Sequence, residues 1–369
     1  MFVHDVLKTI YSPIQAFETI VKEPDIKGPL LVLLLILVLN AGLQYASASK
    51  IFEAKPMPNR DEWTESTPQI WASNGHPTKD RDNSTTVSNY SIASSVTNRT
   101  YIWMRLTDIG PYNSSGKTSY EELAFWIKWK RQNDMLESPT STLKLFSDRS
   151  DNHFKLDFSH KSSNSSDEWR EVRVDISPTS EEWRPVGSAD WNRITGLEFE
   201  LSWSTSANLT VKIDDLHFAK FVPLTEGFLA IWFDWLATSA FSFFLQWGIY
   251  GGTLSLVIKV LGEKLGSWKA LFIVVGYLFS VKIVHILVAI ISVSMLPRAR
   301  LENLSQIWPT SLPYQTIIFF SLVTDVWMAA LCAIAIRNFY NFTWRKAIMV
   351  SVLATLLNFI MRPLTPIYL

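Results

Sequence analysis

Residues 29–48 (PLLVLLLILVLNAGLQYASA) run for 20 positions without a charged side chain. A helix rises about 1.5 Å per residue, so such a run matches the roughly 30 Å hydrocarbon layer of a bilayer. The 28 residues before it carry an amphipathic pattern of their own and far exceed the n-region of a cleaved signal, so a retained span is expected. After a polar stretch, apolar runs return at Phe228–Ile258, Ala270–Met295, Tyr314–Ile336 and Ala347–Ile360, which makes five spans. The second, interrupted only by Asp234 and Gln246, is too long for a perpendicular crossing. It is expected to tilt, to kink near Gly248, Gly251 and Gly252, or to project from the bilayer.

Loop charges set the orientation. Lys8, Lys22, Lys27, Lys259, Lys264, Lys269, Arg337, Arg345 and Lys346 fall on short segments of one side, against Arg298, Arg300 and Arg362 on the other. Basic residues concentrate on the cytoplasmic side, so the N-terminus is expected inside and the C-terminus outside. Residues 49–227 are then expected outside the cytoplasm, with the plasma membrane as the expected location. Glycosylation sequons at Asn83, Asn89, Asn98, Asn113, Asn164 and Asn208 all lie in that stretch, although Asn303 and Asn341 show that the pattern also arises elsewhere.

The chain holds 34 Lys and Arg against 34 Asp and Glu, a net charge of zero. That zero joins unlike parts, because residues 50–222 sum to −4 and the remainder to +4. No global basic excess points to nucleic acid, and a single Cys allows neither a disulfide framework nor a Cys-based zinc site.

Residues 49–99 are rich in Ser, Thr, Asn and Pro and are expected to be linker and irregular edge structure. Over 100–222 the pattern changes to short alternating runs: Tyr101–Leu106, Leu123–Lys130, Leu143–Phe146, Phe154–Phe158, Trp169–Ile176, Leu197–Trp203 and Leu209–Phe218. Leu123, Phe125, Ile127 and Trp129 point one way while Ala124, Lys128 and Lys130 point the other, and Leu197, Phe199, Leu201 and Trp203 alternate with Glu198, Glu200 and Ser202. Strands without intervening helices predict an antiparallel β-sandwich. By strand parity Trp126 and Trp183 face solvent and are candidates for stacking on sugar rings; the other reading of the insert's tryptophans is core.

Residues 1–28 are expected to form a cytoplasmic amphipathic segment. Ser12 is placed to cap a helix that starts at Pro13, with Ile14, Phe17, Ile20 and Val21 on one face. That face lies either on the membrane surface or against the underside of the helix bundle.

Two resemblances extend this reading. The segment SPIQAFETIVKEPDIKGPLLVLLLILVL, followed later by GGTLSLVIKVLGEKLGSWKALFIVVGYLFSVKIV, resembles Yip1-domain membrane proteins, whose five spans also match. The chain departs from that pattern in carrying the large polar stretch between its first and second spans. Residues 100–220 resemble galactose-binding-like jelly rolls of the carbohydrate-binding-module type, through Trp169 at a strand start, Trp191-Asn192-Arg193-Ile194 before another strand, and Ile213-Asp214-Asp215-Leu216 with Phe218 at the close. In such modules an Asp at the position of Asp214 or Asp215 often holds a structural calcium ion; the alternative is that both only solvate a strand end.

Asp234, Lys282, His285 and Asp325 lie within expected spans, where charge is costly unless it faces the bundle interior and is paired. Matching depth in the third and fourth spans predicts a Lys282–Asp325 pair, with His285 one turn away, either locking the bundle or serving an ion pathway. No phosphate loop, metalloprotease motif or nucleophile elbow is present.

The expected fold class is thus mixed: a five-span α-helical transmembrane bundle (29–48 and 223–369) plus an extracytoplasmic antiparallel β-sandwich of jelly-roll type (100–222). The expected function is non-enzymatic, with the sandwich binding a glycan, envelope component or protein partner and the bundle meeting membrane lipids, a membrane-protein complex or a second copy of itself. The alternatives are a transporter or channel subunit using Asp234, Lys282 and Asp325, and a membrane-anchored sensor.

Overall fold

The computed structural model describes residues 2–81, 89–116, 119–131, 138–163, 167–226 and 228–361. Its strands are β1 (Ile51–Met57), β2 (Trp71–Ser73), β3 (Thr78–Asp80), β4 (Ser91–Tyr112), β5 (Glu122–Arg131), β6 (Thr140–Ser147), β7 (Arg149–Asp157), β8 (Arg170–Asp175), β9 (Arg184–Val186), β10 (Ile194–Pro223) and the two-residue β11 (Ala299–Arg300). Two of them organise residues 54–222. β4 pairs antiparallel along nearly its whole length with the first two-thirds of β10, from Ile194 opposite Tyr112 to Ile213 opposite Ile92, with register shifts between Ser202 and Leu209.

On one side of those shifts, Ile194–Ser202 also pairs with β6, which continues to β7 and β9, while β2 borders β4. On the other side, Leu209–Ala219 pairs with β5, which carries β8, and β3 borders β4. One strand pair therefore serves two half-sheets, and the exposed polar residues Ser204, Thr205 and Ser206 lie at the crossing. Leu197, Phe199 and Leu201 of one half-sheet and Leu123, Phe125 and Ile127 of the other are all buried in a shared core. Phe125 and Phe199 meet across it with ring centroids 4.7 Å apart. Each such side chain contributes roughly 1.5–3 kcal/mol of apolar burial. This is an antiparallel β-sandwich.

Each of the seven runs of alternating residues lies wholly or largely within a strand, and the last two are halves of β10. Residues 49–99 behave differently from the linker expected of them. Trp63, Trp71, Ile92 and Val96 enter the sandwich core, because Ser91–Arg99 is the first half of β4 and finds its partner more than a hundred positions later. Composition alone does not register a pairing of that range. The indole N–H groups of Trp71, Trp129 and Trp183 donate to the carbonyls of Trp63, Ser162 and Asp175 at 2.7, 3.1 and 2.8 Å, which allows tryptophan to serve as core.

The second compact unit joins residues 1–53 to residues 223–369. It contains α1 (Phe2–Tyr11), α2 (Pro13–Lys22), α3 (Lys27–Ala48), α4 (Phe228–Val260), α5 (Trp268–Leu278), α6 (Ser280–Ser294), α7 (Leu312–Tyr340) and α8 (Trp344–Met361). Five helical stretches among the described residues are long and apolar enough to cross a membrane: α3, α4 from Trp232, α5 and α6 together, α7 and α8.

Pro13 does open α2, but the Ser12 hydroxyl bonds the Gln15 side chain at 3.3 Å instead of a backbone N–H. Ala16, Phe17 and Ile20 are buried in the apolar core shared with the long helices, whereas Ile14 is 46% exposed. Thr9 and Ser280 share a hydroxyl–hydroxyl hydrogen bond of 2.7 Å. The amphipathic stripe of α2 is thereby spent on helix packing.

Close packing of α3 on α5 depends on glycine. A Cβ on Gly276 would lie 2.6 Å from the Pro29 Cβ and 3.1 Å from the Trp247 ring, and one on Gly28 would overlap the Tyr277 phenol. Gly276→Ala is expected to destabilise the full chain by roughly 1–3 kcal/mol through overpacking. Thermal melting of the purified protein in detergent checks this, and an unchanged melting temperature would show that α3 and α5 can separate at no cost.

Candidate functional site

Alternation fixes what the first half-sheet shows on its outer face. With Ile102, Met104, Leu197, Phe199 and Leu145 turned inward, Tyr101, Trp103 and Arg105 of β4, Glu198 and Glu200 of β10, and Lys144 and Phe146 of β6 point outward. Register sets Glu198 directly between Arg105 and Lys144. Arg105 Nε donates to Glu198 Oε2 at 2.6 Å, and Lys144 Nζ donates to Glu198 Oε1 and Glu200 Oε2, each at 2.7 Å.

Glu198 is only 3% exposed, so these bonds supply what water no longer can. Burial pulls the Lys144 ammonium down, but hydrogen bonds and charge from Glu198 and Glu200 outweigh it and hold its pKa above the ordinary lysine value. The Arg105 guanidinium lies 5.2 Å from the ring centroids of both Trp103 and Phe146, and Tyr101 is 43% exposed beside them. The face thus combines aromatic surface with fixed donors and acceptors. An apolar ring face and oriented carboxylate and cationic groups suit a ligand with C–H faces and many hydroxyls.

The sugar-stacking residues expected from strand parity are placed elsewhere. Trp126 is half-buried on the outer face of the other half-sheet, opposite Asp214 and Glu171. Trp183 does not face solvent: it is 6% exposed and packs edge-on against Trp191, with centroids 5.7 Å apart. It lies in a turn before β9, where strand parity does not apply. The row from Tyr101 to Glu200 was not singled out from sequence, although the alternation in YIWMRL and LEFELS was its visible signal.

Asp214 and Asp215 are 1% and 3% exposed at a register shift between β10 and β5, and Asp215 adopts a left-handed φ of 47°. Asp214 Oδ1 accepts from the Asp215 N–H at 2.9 Å and from the Thr64 hydroxyl at 3.4 Å. Asp215 Oδ2 is 3.6 Å from Arg60, and its carbonyl is 2.8 Å from His217 Nδ1. Asp61 joins them electrostatically: burial, then Glu65 and Asp215, push its carboxyl above the usual carboxylate range. The Oδ1 atoms of Asp61 and Asp215 are buried and accept no hydrogen bond among the described residues, although His217 Nδ1 lies 3.3 Å from Asp215 Oδ1. Also among these residues, no three His, Cys, Asp or Glu side chains are gathered to hold a metal ion. A calcium ion here would therefore take two carboxylates, Asp61 and Asp215, and complete its shell from carbonyls and water.

Of the sequons, Asn89, Asn98 and Asn113 are exposed and Asn208 is half-buried, its Oδ1 accepting from the Asn98 N–H at 2.9 Å. Asn83 and Asn164 lie outside the described residues.

In the helical unit, Gln246, Lys282 and Asp325 line the same two cavities. The Lys282 ammonium donates to Gln246 Oε1. His285 lines the larger cavity with them, whose volume is 400 Å³. Asp234 is not brought to this group: it is exposed near the start of α4 and lines neither cavity.

No family model matches the chain, and no curated protein does. Solved structures similar to it include the family 11 carbohydrate-binding module of a cellulosomal cellulase of Clostridium thermocellum, at 13% identity over 45% of this chain and 93% of that one, with a TM-score of 0.30. A family 11 module from Clostridium thermocellum in complex with a β-1,3-1,4-mixed-linked tetrasaccharide is 12% identical over 46% of this chain and 95% of that one, TM-score 0.29. An exo-β-agarase is 12% identical over 44% and 24%, TM-score 0.30.

A carboxyl whose pKa is raised on folding contributes stability at low pH and loses it as pH rises through the folded value. Asp61→Asn should therefore raise the melting temperature of chelator-treated protein at neutral pH by roughly 1–2 °C. The gain should vanish only as pH falls well below the ordinary aspartate value of 3.8, where the carboxyl is protonated in either state. Asn also tolerates the left-handed φ of 70° at this position. Melting curves across pH test it, and a loss of stability at neutral pH would contradict the charge argument.

Proposed function

We propose that this chain is a non-enzymatic integral membrane protein whose β-sandwich binds a glycan through the outer face built by Tyr101, Trp103, Arg105, Lys144, Glu198 and Glu200. The observation that carries the reading is the pairing of Glu198 with both Arg105 and Lys144 beside the Trp103 ring. Such fixed, partly desolvated groups recognise hydroxyls, while the indole accepts the C–H face of a sugar ring. The five apolar helices span the plasma membrane with the N-terminus inside, after the manner of the Yip1-like proteins that the sequence resembles, and present the sandwich outside the cell. The jelly-roll resemblance of residues 100–220 supports the same ligand class.

Purified full-length protein in detergent, applied to a glycan array, should retain at least one oligosaccharide. Trp103→Ala and Glu200→Gln should each weaken binding about tenfold, and Trp126→Ala should leave it unchanged. Loss with Trp126→Ala alone would move the site to the other half-sheet, and an array with no ligand retained by the wild type would sink the reading.

The sandwich also holds a structural calcium ion between Asp61 and Asp215 in this reading. Calcium added to chelator-treated protein should raise its melting temperature by several degrees, by mass action on the folded state. Asp215→Asn should abolish the response; an unaltered melting curve in the wild type excludes the ion.

A further inference from the structure

The larger cavity of the helical unit is walled by α3, α4, α6 and α7, and its lining joins apolar surface to polar side chains, among them Asn40, Ser242, Gln246, Lys282, His285 and Asp325. These helices are otherwise strongly apolar. Polar side chains on apolar helices are costly against hydrocarbon and are found where they line a cavity or pair with one another. Four helices each turn such residues toward one space, which exceeds what a single locking pair requires.

The charge in that wall is balanced. Lys282 is the one formal cation and Asp325 the one formal anion among the lining residues, and His285 sits one turn from Lys282. A ligand of single net charge would meet a wall residue of its own sign in the same space, whereas a zwitterion can direct each pole to its opposite. A volume of 400 Å³ lies within the range of small-molecule sites.

We propose that this cavity binds a small zwitterion carrying an ammonium and an anionic oxygen group. Asp325 receives the ammonium, Lys282 and His285 receive the anionic oxygens, and Asn40 and Ser242 take the remaining hydrogen bonds. A free amino acid and the phosphoethanolamine headgroup of a phospholipid share this chemistry. The site is separate from the glycan-binding face, so either can fail while the other stands.

The test uses full-length protein in detergent, stripped of lipid, with glycine and phosphoethanolamine as soluble probes in isothermal titration calorimetry. At least one probe should bind, and Asp325→Asn should weaken it about tenfold or more. Asn40→Leu and Ser242→Val, which keep both charges, should also weaken it, so the proposal remains testable should Asp325→Asn fail to fold. Native mass spectrometry from nanodiscs distinguishes the sources. Retention of phosphatidylethanolamine over phosphatidylglycerol, together with phosphoethanolamine binding, assigns a lipid headgroup; glycine binding without such retention assigns a free solute. No binding of either probe with no lipid preference overturns the proposal, as does undiminished affinity in the folded variants.

Discussion

The antiparallel pairing of β4 with β10 is the interaction on which residues 54–222 depend. Each strand passes through both half-sheets, so one ladder of backbone hydrogen bonds sets the register of everything paired to it. A slip of one residue would turn Leu197, Phe199 and Leu201 outward and bring Glu198 and Glu200 into the core, a change of sign for every side chain on the strand. The same register that buries Phe199 against Phe125 aligns Arg105, Glu198 and Lys144 on the opposite face. Core and candidate site are two sides of one constraint.

The helical unit meets a comparable constraint by other means. Its apolar helices approach where small residues allow, at Gly28 and Gly276 against Tyr277 and Pro29, and separate where polar residues require space, around Lys282, His285 and Asp325. Close contact at one level and a cavity at another come from the same helices. In an apolar surrounding, van der Waals packing at small residues supplies the cohesion that water would otherwise provide.

Much of this architecture was legible along the chain. The five apolar helices follow from run length, and the strands of the sandwich from period-two alternation, because each signal is local. What escaped was long in range. Ser91–Arg99 lacks the marks of a core strand but pairs with residues beyond position 206, and Trp63 and Trp71 reach the core from segments that read as linker. Trp183 carried the right residue type for a sugar platform, yet a turn folds it inward onto Trp191. Trp103, with four strands between it and Trp183 in the chain, stands beside the ion-paired row instead.

By itself the sequence determined which segments are apolar for the length of a bilayer, which strands alternate, and that one cysteine leaves the sandwich to stand on its packed core. Those properties depend on neighbours within a few residues, so no partner is needed to read them. Only the tertiary structure decided that β10 serves two half-sheets, that Glu198 lies between Arg105 and Lys144, and that Asp234 stays apart from the polar cavity onto which Lys282 and Asp325, already matched in depth along the chain, both open. Each of these is a meeting of residues far apart in the chain, and their distances are set by register and helix crossing, which no local pattern encodes.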